Sequence, residues 1–407
     1  MPPQSLVCLI KVLISFLMVF ILVIKKVDLG LSLLAGSALL GLIFLPGEEV
    51  LRIVLRAATS QSTIELALIA VFITFLGFIY RETGKLTEIS KALEEIVADR
   101  RLTLIIIPAM FGMLPMLGGA LLSAPVVDEE GERAGIRNDG KTFINVWFRH
   151  VIFFIYPLST FMIFASYLSN LDVASIVLHE MPIFIVAVIA GFIMSFRGIK
   201  LGERKIKTKI KANSIGRVLF LLSPILIAII LNALFNLRLL ISILIGIATL
   251  IAIFKPTSSA IFNAIKKSKL YMMISAVFGV MIFKEVVISS NLPQFISSIV
   301  QTLSLPPILL STFVPLSLGI ITGSATGAMA ISFPLLSSLN ALNPAIISLI
   351  YSCCLMGYII SPLHLCLTMT SEYFKVRITS VYPRLIASAA VTIMAQVIAI
   401  FLISWIY

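Results

Sequence analysis

Three short motifs occur twice along this chain, in the same order and about two hundred residues apart. Tyr80-Arg81-Glu82, Gly119-Ala120-x-x-Ser123-x-Pro125 and Ile155-Tyr156-Pro157-Leu158 return as Phe283-Lys284-Glu285, Gly327-Ala328-x-x-x-Ser332-x-Pro334 and Ile360-Ser361-Pro362-Leu363, at offsets of 203, 209 (proline to proline) and 205. A chain duplicated in this way folds as two similar halves, and in a membrane protein that design points first to a transporter.

The setting follows from composition. With 59% hydrophobic and 12% charged residues, the chain fills a bundle of apolar spans and leaves little for a soluble domain. The lipid bilayer of the cell membrane is therefore the expected partner. The net charge of +12 lies in short segments between apolar runs, so it reads as a topology signal and not as a nucleic-acid surface. The first apolar run, Leu6 to Ile24, is long enough to span, lacks a small-residue cleavage pattern, and reads as a retained helix. Cys8, Cys353, Cys354 and Cys366 lie in apolar stretches without paired spacing, as small core residues do.

Length and hydropathy predict spans near 6–24, 29–45, 63–80, 141–170 and 173–195, and a matching five near 217–236, 239–254, 270–290, 345–370 and 385–406. Two apolar segments, 102–127 and 306–336, are left over. If both fold back without crossing, one side of the membrane holds 26 Lys and Arg and the other only Arg52, Arg56 and Arg238. If both cross, the split becomes 11 to 18 and the basic bias largely disappears. Because short cytoplasmic loops carry the excess of Lys and Arg, the first arrangement is favoured, with both termini outside. Letting the second segment alone cross gives 23 to 6, so its re-entrance rests on the internal repeat.

The predicted fold class is thus an all-α polytopic membrane protein of two inverted repeats. Each repeat has five spans, a re-entrant hairpin and a broken helix, because an odd number of crossings inverts the second half. The first repeat covers 1–195 (hairpin 102–127, broken helix 141–170), a basic linker covers 196–217, and the second repeat covers 218–407 (hairpin 306–336, broken helix 345–370). A partly amphipathic arm precedes each hairpin, at Leu86 to Arg101 and Leu292 to Leu303.

The polar residues of these interruptions are the candidate site. The first hairpin carries Gly118, Gly119 and Ser123 around its turn; the second carries Thr322, Gly323, Ser324, Thr326, Gly327 and Ser332. A helix-packing face of small residues is the alternative reading for the second set. Pro157 and Pro362 interrupt the long helices near their middles and expose backbone amides and carbonyls, flanked by Tyr156, Ser159, Ser361 and His364. Amide-bearing helix starts suit an anion and unwound carbonyls suit Na⁺. His364 either carries a proton or packs as a structural histidine. Arg149 and His150 read first as a snorkelling Arg beside a packed His, with an entry path for anions as the alternative. Glu82 and Glu285 mark helix ends, with Lys284 as an internal ion-pair partner or with a role in coupling.

Catalytic signals are missing. His179-Glu180 lacks the second His of a zinc protease helix, and neither a phosphate-binding Gly-rich loop with Lys nor a nucleophile elbow occurs. No enzyme activity, no cofactor and no metal beyond a coupling Na⁺ are expected.

The Gly118-Gly119-Ala120 to Ala124-Pro125 hairpin, its Gly327 to Pro334 counterpart and Ser361-Pro362-Leu363-His364-Leu365-Cys366 resemble the ion-transporter superfamily. Within it, the chain is similar to the gluconate-permease-like branch and to a related uncharacterised prokaryotic integral membrane family. That resemblance implies secondary transport of organic anions by an elevator-type transport domain, as a homodimer, with the site at the hairpins and around Pro157 and Pro362. The dicarboxylate members carry Ser-Asn-Thr at their hairpin tips, which neither hairpin here has. The expected function is Na⁺- or H⁺-coupled transport of a small organic anion, a carboxylate, by alternating access. A channel or export-complex subunit and a membrane enzyme acting on lipid are the alternatives.

Overall fold

The computed structural model describes residues 3–97, 99–113, 119–198, 212–302, 304–339 and 343–406; among these, the regular structure is helical, with no strand. Six helices are long and apolar enough to cross a membrane by length and composition: Gln61–Glu82, Val173–Phe196, Ser214–Ala233, Leu270–Ser289, the interrupted Pro344–Tyr373, and Ile378–Leu402. This is the build of a multi-pass membrane protein.

In chain order the first half contains α1 (Pro3–Ile24), α2 (Leu29–Phe44), α3 (Gly47–Thr59), α4 (Gln61–Glu82), α5 (Lys85–Ile96), α6 (Arg100–Gly112), α7 (Ala120–Arg133), α8 (Asn138–Val151), a 3₁₀ turn (Ile152–Phe154), α9 (Thr160–Ser169) and α10 (Val173–Phe196). The second half contains α11 (Ala212–Ala233), α12 (Leu239–Phe254), α13 (Ser258–Lys267), α14 (Leu270–Ser289), α15 (Leu292–Thr302), α16 (Pro307–Thr322), α17 (Ala325–Leu336), α18 (Pro344–Ile360), α19 (Leu365–Tyr373) and α20 (Ile378–Ile406). The interruptions predicted at Pro157 and Pro362 are present, and α6–α7 and α16–α17 are helix–turn–helix pairs. The first pair is longer than expected, since α7 runs on to Arg133.

Two features go beyond the sequence expectation. The connections between predicted spans, 46–62 and 255–269, contain the amphipathic helices α3 and α13. Polar residues lower their hydropathy below that of a span, although their apolar residues recur at helical spacing. Second, α2 and α12 have 16 residues each, about 24 Å, less than the thickness of the hydrocarbon layer. Most of the basic linker and the first hairpin's turn at 114–118, including Gly118, lie outside the described residues.

Packing between the halves is reciprocal: α2 lies on α14 and α12 on α4, α3 on α14 and α13 on α4, and α7 on α19 as α17 lies on α9. Glycine permits the closest crossings. A Cβ on Gly30 would stand 2.0 Å from the Ser275 carbonyl oxygen, so α2 meets α14 backbone to backbone, and a Cβ on Gly357 would stand 2.3 Å from the Leu316 oxygen where α18 meets α16. Gly357→Val is therefore expected to push α16 off α18 and destabilise the fold by about 1–3 kcal/mol, read as a lower thermal midpoint in detergent. An unchanged midpoint would show that this crossing is looser than the backbone spacing implies.

The interrupted helices sit at the centre. The apolar stretch of Pro344–Tyr373 is 72% buried, against 33% for the corresponding stretches of α10, α11 and α20, whose Ile185, Ile189, Phe220, Met394 and Ile398 face outward. A helix that is apolar all round yet exposed on one side has lipid as its solvent.

Candidate functional site

The end of α6 and the turn after α16 each abut an interrupted helix. At the end of α6, a Cβ on Gly112 would stand 2.1 Å from the Arg149 carbonyl oxygen of α8. At the end of α16, Gly323 adopts a left-handed φ of 59° and lies against Leu363, in the break between α18 and α19. The two breaks meet each other. His150, one residue before the end of α8, places Nε2 3.1 Å from Nε2 of His364, which caps α19.

Local chemistry shapes each break. Around Pro157, Tyr351 of α18 donates its hydroxyl to the Phe153 carbonyl at 2.7 Å, satisfying an oxygen freed where α8 stops, and Ser159 caps α9 through the Met162 amide. Around Pro362, Ser361 donates to the Ile320 carbonyl of α16 at 2.6 Å and accepts from the Leu363 amide, which fastens the second hairpin to the break. In that hairpin, Thr322 donates to the Leu318 carbonyl and Ser324 caps α17 through the Gly327 amide. The hydroxyls of Thr322, Ser324, Ser159 and Ser361 are thus engaged by backbone. Thr326, Gly327 and Ser332 are buried, and Ser332 accepts from Cys354.

In the first hairpin, Gly119 is the N-cap of α7 and Ser123 donates to Asn145 of α8 at 2.6 Å. Asn145 does not stand out in the sequence. Its amide also donates to the Ala120 carbonyl and to Thr370 of α19, so one side chain joins three elements from the two halves.

Arg149 does not snorkel. It is 3% exposed, its Nη1 has no hydrogen-bond partner, and no carboxylate lies within 4 Å among the described residues. An unpaired buried guanidinium is costly, and in proteins such groups meet an anion. His150 and His364 are both buried; His150 packs against Phe153 and Tyr358, and Tyr358 also packs against His364.

The expected ion-pair residues are placed apart from this centre. Glu82 pairs with Lys267 of α13 at 2.8 Å and not with its neighbour Arg81. Lys284 forms no ion pair with Glu285 within 4 Å; its ammonium donates to the Tyr167 carbonyl in the last turn of α9, where a cation meets the negative end of the helix dipole. Adjacency in sequence misleads here because consecutive residues on a helix point to different faces. Tyr156 is buried beside Pro157.

Glu180 of α10 is the acidic residue that sequence spacing passes over. It is completely buried, with Ser352 of α18 donating to its oxygens at 2.9 and 2.8 Å and the Gln396 amide of α20 at 3.5 Å. No Lys, Arg or His lies within 4 Å of it among the described residues. A carboxylate inside an apolar run is itself a signal that could have found it.

At one end of the bundle a hollow of about 560 Å³ opens between the starts of α8 and α20, lined by Arg137, Asn138, Asp139, Arg377 and Ser380. It lies about 16 Å along α8 from Arg149. Burial alone would raise the Asp139 pKa; the hydrogen bond from Arg384 at 2.6 Å, with the charges of Arg384 and Arg137, outweighs it and holds the carboxyl below its ordinary value. A depressed carboxylate stabilises the fold above its unfolded pKa of about 3.9, and that contribution is lost as pH falls through the lower folded value. Thermal midpoints of the wild type should therefore fall through this acid range more steeply than those of Asp139→Asn; parallel curves would remove the Arg384 pairing from the account.

With this geometry in view, a family model described as "Protein of unknown function (DUF401)" matches residues 5–403. The chain belongs to this family. The assignment agrees with the uncharacterised membrane family expected from the sequence, and does not extend to the gluconate-permease-like branch. Among curated proteins, none matches the chain.

Proposed function

We propose that the protein is a secondary transporter of a small organic anion, a carboxylate, coupled to H⁺ or Na⁺. The observation that carries this reading is Arg149, a buried guanidinium without a counter-charge among the described residues, where two interrupted helices and two hairpin ends converge. A transported carboxylate would supply the missing charge and the bidentate partner that guanidinium geometry favours.

The reading includes an inverted repeat. The same succession of elements occurs twice, the contacts between halves are reciprocal, and five crossings per half would turn the second half over. In that topology the hairpins are re-entrant, ten spans cross the membrane, both termini lie outside, and the hollow at Arg137 and Arg377 faces the cytoplasm, where basic residues would gather anions. Glu180, a buried carboxylate without a cationic partner among the described residues, is the group that suits a coupling cation. Elevator movement and a homodimer come with the resemblance and form part of the proposal.

Reconstitution into proteoliposomes, with a panel of labelled mono-, di- and tricarboxylates under imposed H⁺ or Na⁺ gradients, tests it. Gradient-dependent, saturable uptake of at least one acid is expected. Absence of such uptake across the panel, with protein correctly inserted, would count against transport of carboxylates.

A further inference from the structure

We propose that His150, His364 and Cys366 form a binding site for a thiophilic transition-metal ion of the zinc class. This inference stands on its own geometry and does not depend on the transport reading.

The hydrogen positions on the two rings are forced. His150 Nδ1 lies 2.6 Å from the Val146 carbonyl oxygen, and His364 Nδ1 lies 3.2 Å from the Ile359 carbonyl oxygen. A carbonyl only accepts, so each Nδ1 carries the hydrogen and each neutral ring offers a bare lone pair at Nε2. Those two Nε2 atoms face one another at 3.1 Å. Two lone pairs do not hold that distance by themselves; a cation between them relieves the repulsion.

Three features favour a metal ion over a shared proton. At metal–nitrogen distances of about 2.0–2.1 Å, a separation of 3.1 Å corresponds to an angle of roughly 100° at the metal, within reach of a tetrahedral shell. The Cys366 sulfur completes a set whose three ligand atoms all lie within 4.8 Å of one another, and a proton has no use for it. Each histidine also donates its other ring hydrogen to a backbone carbonyl, the outer-shell contact that fixes metal-binding imidazoles. The ligands come from three different points of the two broken helices: the end of α8, the break before α19 and the first turn of α19. Binding would therefore clamp the two halves of the chain together at their centre.

Cys366 would bind as thiolate, releasing its proton, so a divalent ion leaves the site with one net positive charge. Three protein ligands leave one tetrahedral position open.

The test uses purified, tag-free protein in detergent, stripped with a chelator and titrated with Co²⁺. One saturable Co²⁺ per chain is expected, with visible ligand-field bands and a near-ultraviolet thiolate-to-cobalt band. Cys366→Ser should abolish the thiolate band, and His150→Ala and His364→Ala should weaken binding by at least about tenfold. His179→Ala, which alters the exposed third histidine of the chain, should bind like the wild type. Loading the wild type with Zn²⁺ should raise its thermal midpoint, since the metal binds the folded state. No saturable binding to the wild type, a thiolate band that persists in Cys366→Ser, or equal affinity in His364→Ala would overturn the proposal. Cys366→Ser is nearly isosteric, so its thiolate band decides the matter even if the histidine variants fail to fold.

Discussion

Arg149→Met is expected to reduce gradient-driven anion uptake by at least about a hundredfold while leaving the folded protein as stable as the wild type, or more so. The two halves of this expectation have one cause. A buried guanidinium with an unpartnered Nη1 and no carboxylate within 4 Å among the described residues contributes an uncompensated desolvation cost to the empty protein. Methionine occupies similar length and removes that cost, so the fold does not suffer. The anion, by contrast, loses a charge-assisted and bidentate partner in a low-dielectric setting, where such contacts are strongest. Arg149→Lys should fall between, because it keeps the charge without the planar fork. Uptake into proteoliposomes and thermal unfolding of the same preparations measure both quantities. If Arg149→Met retains most of its uptake, the anion is held elsewhere; if it unfolds, Arg149 is a structural residue.

Glu180→Gln should separate transport from its driving force. Glutamine preserves the shape and can still meet Ser352 and Gln396, so packing among α10, α18 and α20 is kept. It cannot take up a proton or neutralise Na⁺. Accumulation against a gradient is therefore expected to fall by at least about tenfold, while exchange of labelled for unlabelled anion across the membrane persists. A structural link joins the two sites: Ser352, which holds Glu180, is adjacent on α18 to Tyr351, which holds the Phe153 carbonyl at the first break. A change of charge at Glu180 thus bears on the same helix that fastens the interruption beside Arg149. Undiminished accumulation by Glu180→Gln would remove this residue from coupling without touching the assignment of Arg149.

The residues behind these expectations differ in how legible they are in the sequence. The breaks at Pro157 and Pro362 and the hairpin turn at Gly323-Ser324 can be read there because proline, glycine and capping hydroxyls act on their own few residues of backbone. The same locality gives these hydroxyls backbone partners close at hand: Thr322, Ser324 and Ser361 hydrogen-bond to backbone carbonyls and amides in and around the turn. His364 stands out in sequence as an ionisable group of interest, but its partner lies 214 residues earlier in the chain. Arg149 reads as a surface residue because a long basic side chain near a span end ordinarily reaches water.

By itself the sequence determined a helical membrane chain with its interruptions at fixed places, since hydropathy, length and proline are properties of short segments. Only the tertiary structure decided that His150 meets His364, that Arg149 is buried without a counter-charge among the described residues, and that Glu180 is enclosed by Ser352 and Gln396. The physical reason is that helices apolar on every side carry no stripe to say which face turns inward. In such helices, the meeting of polar groups is settled by how the helices pack, and packing at glycine crossings such as Gly30 on α14 and Gly357 on α16 is a relation between distant segments.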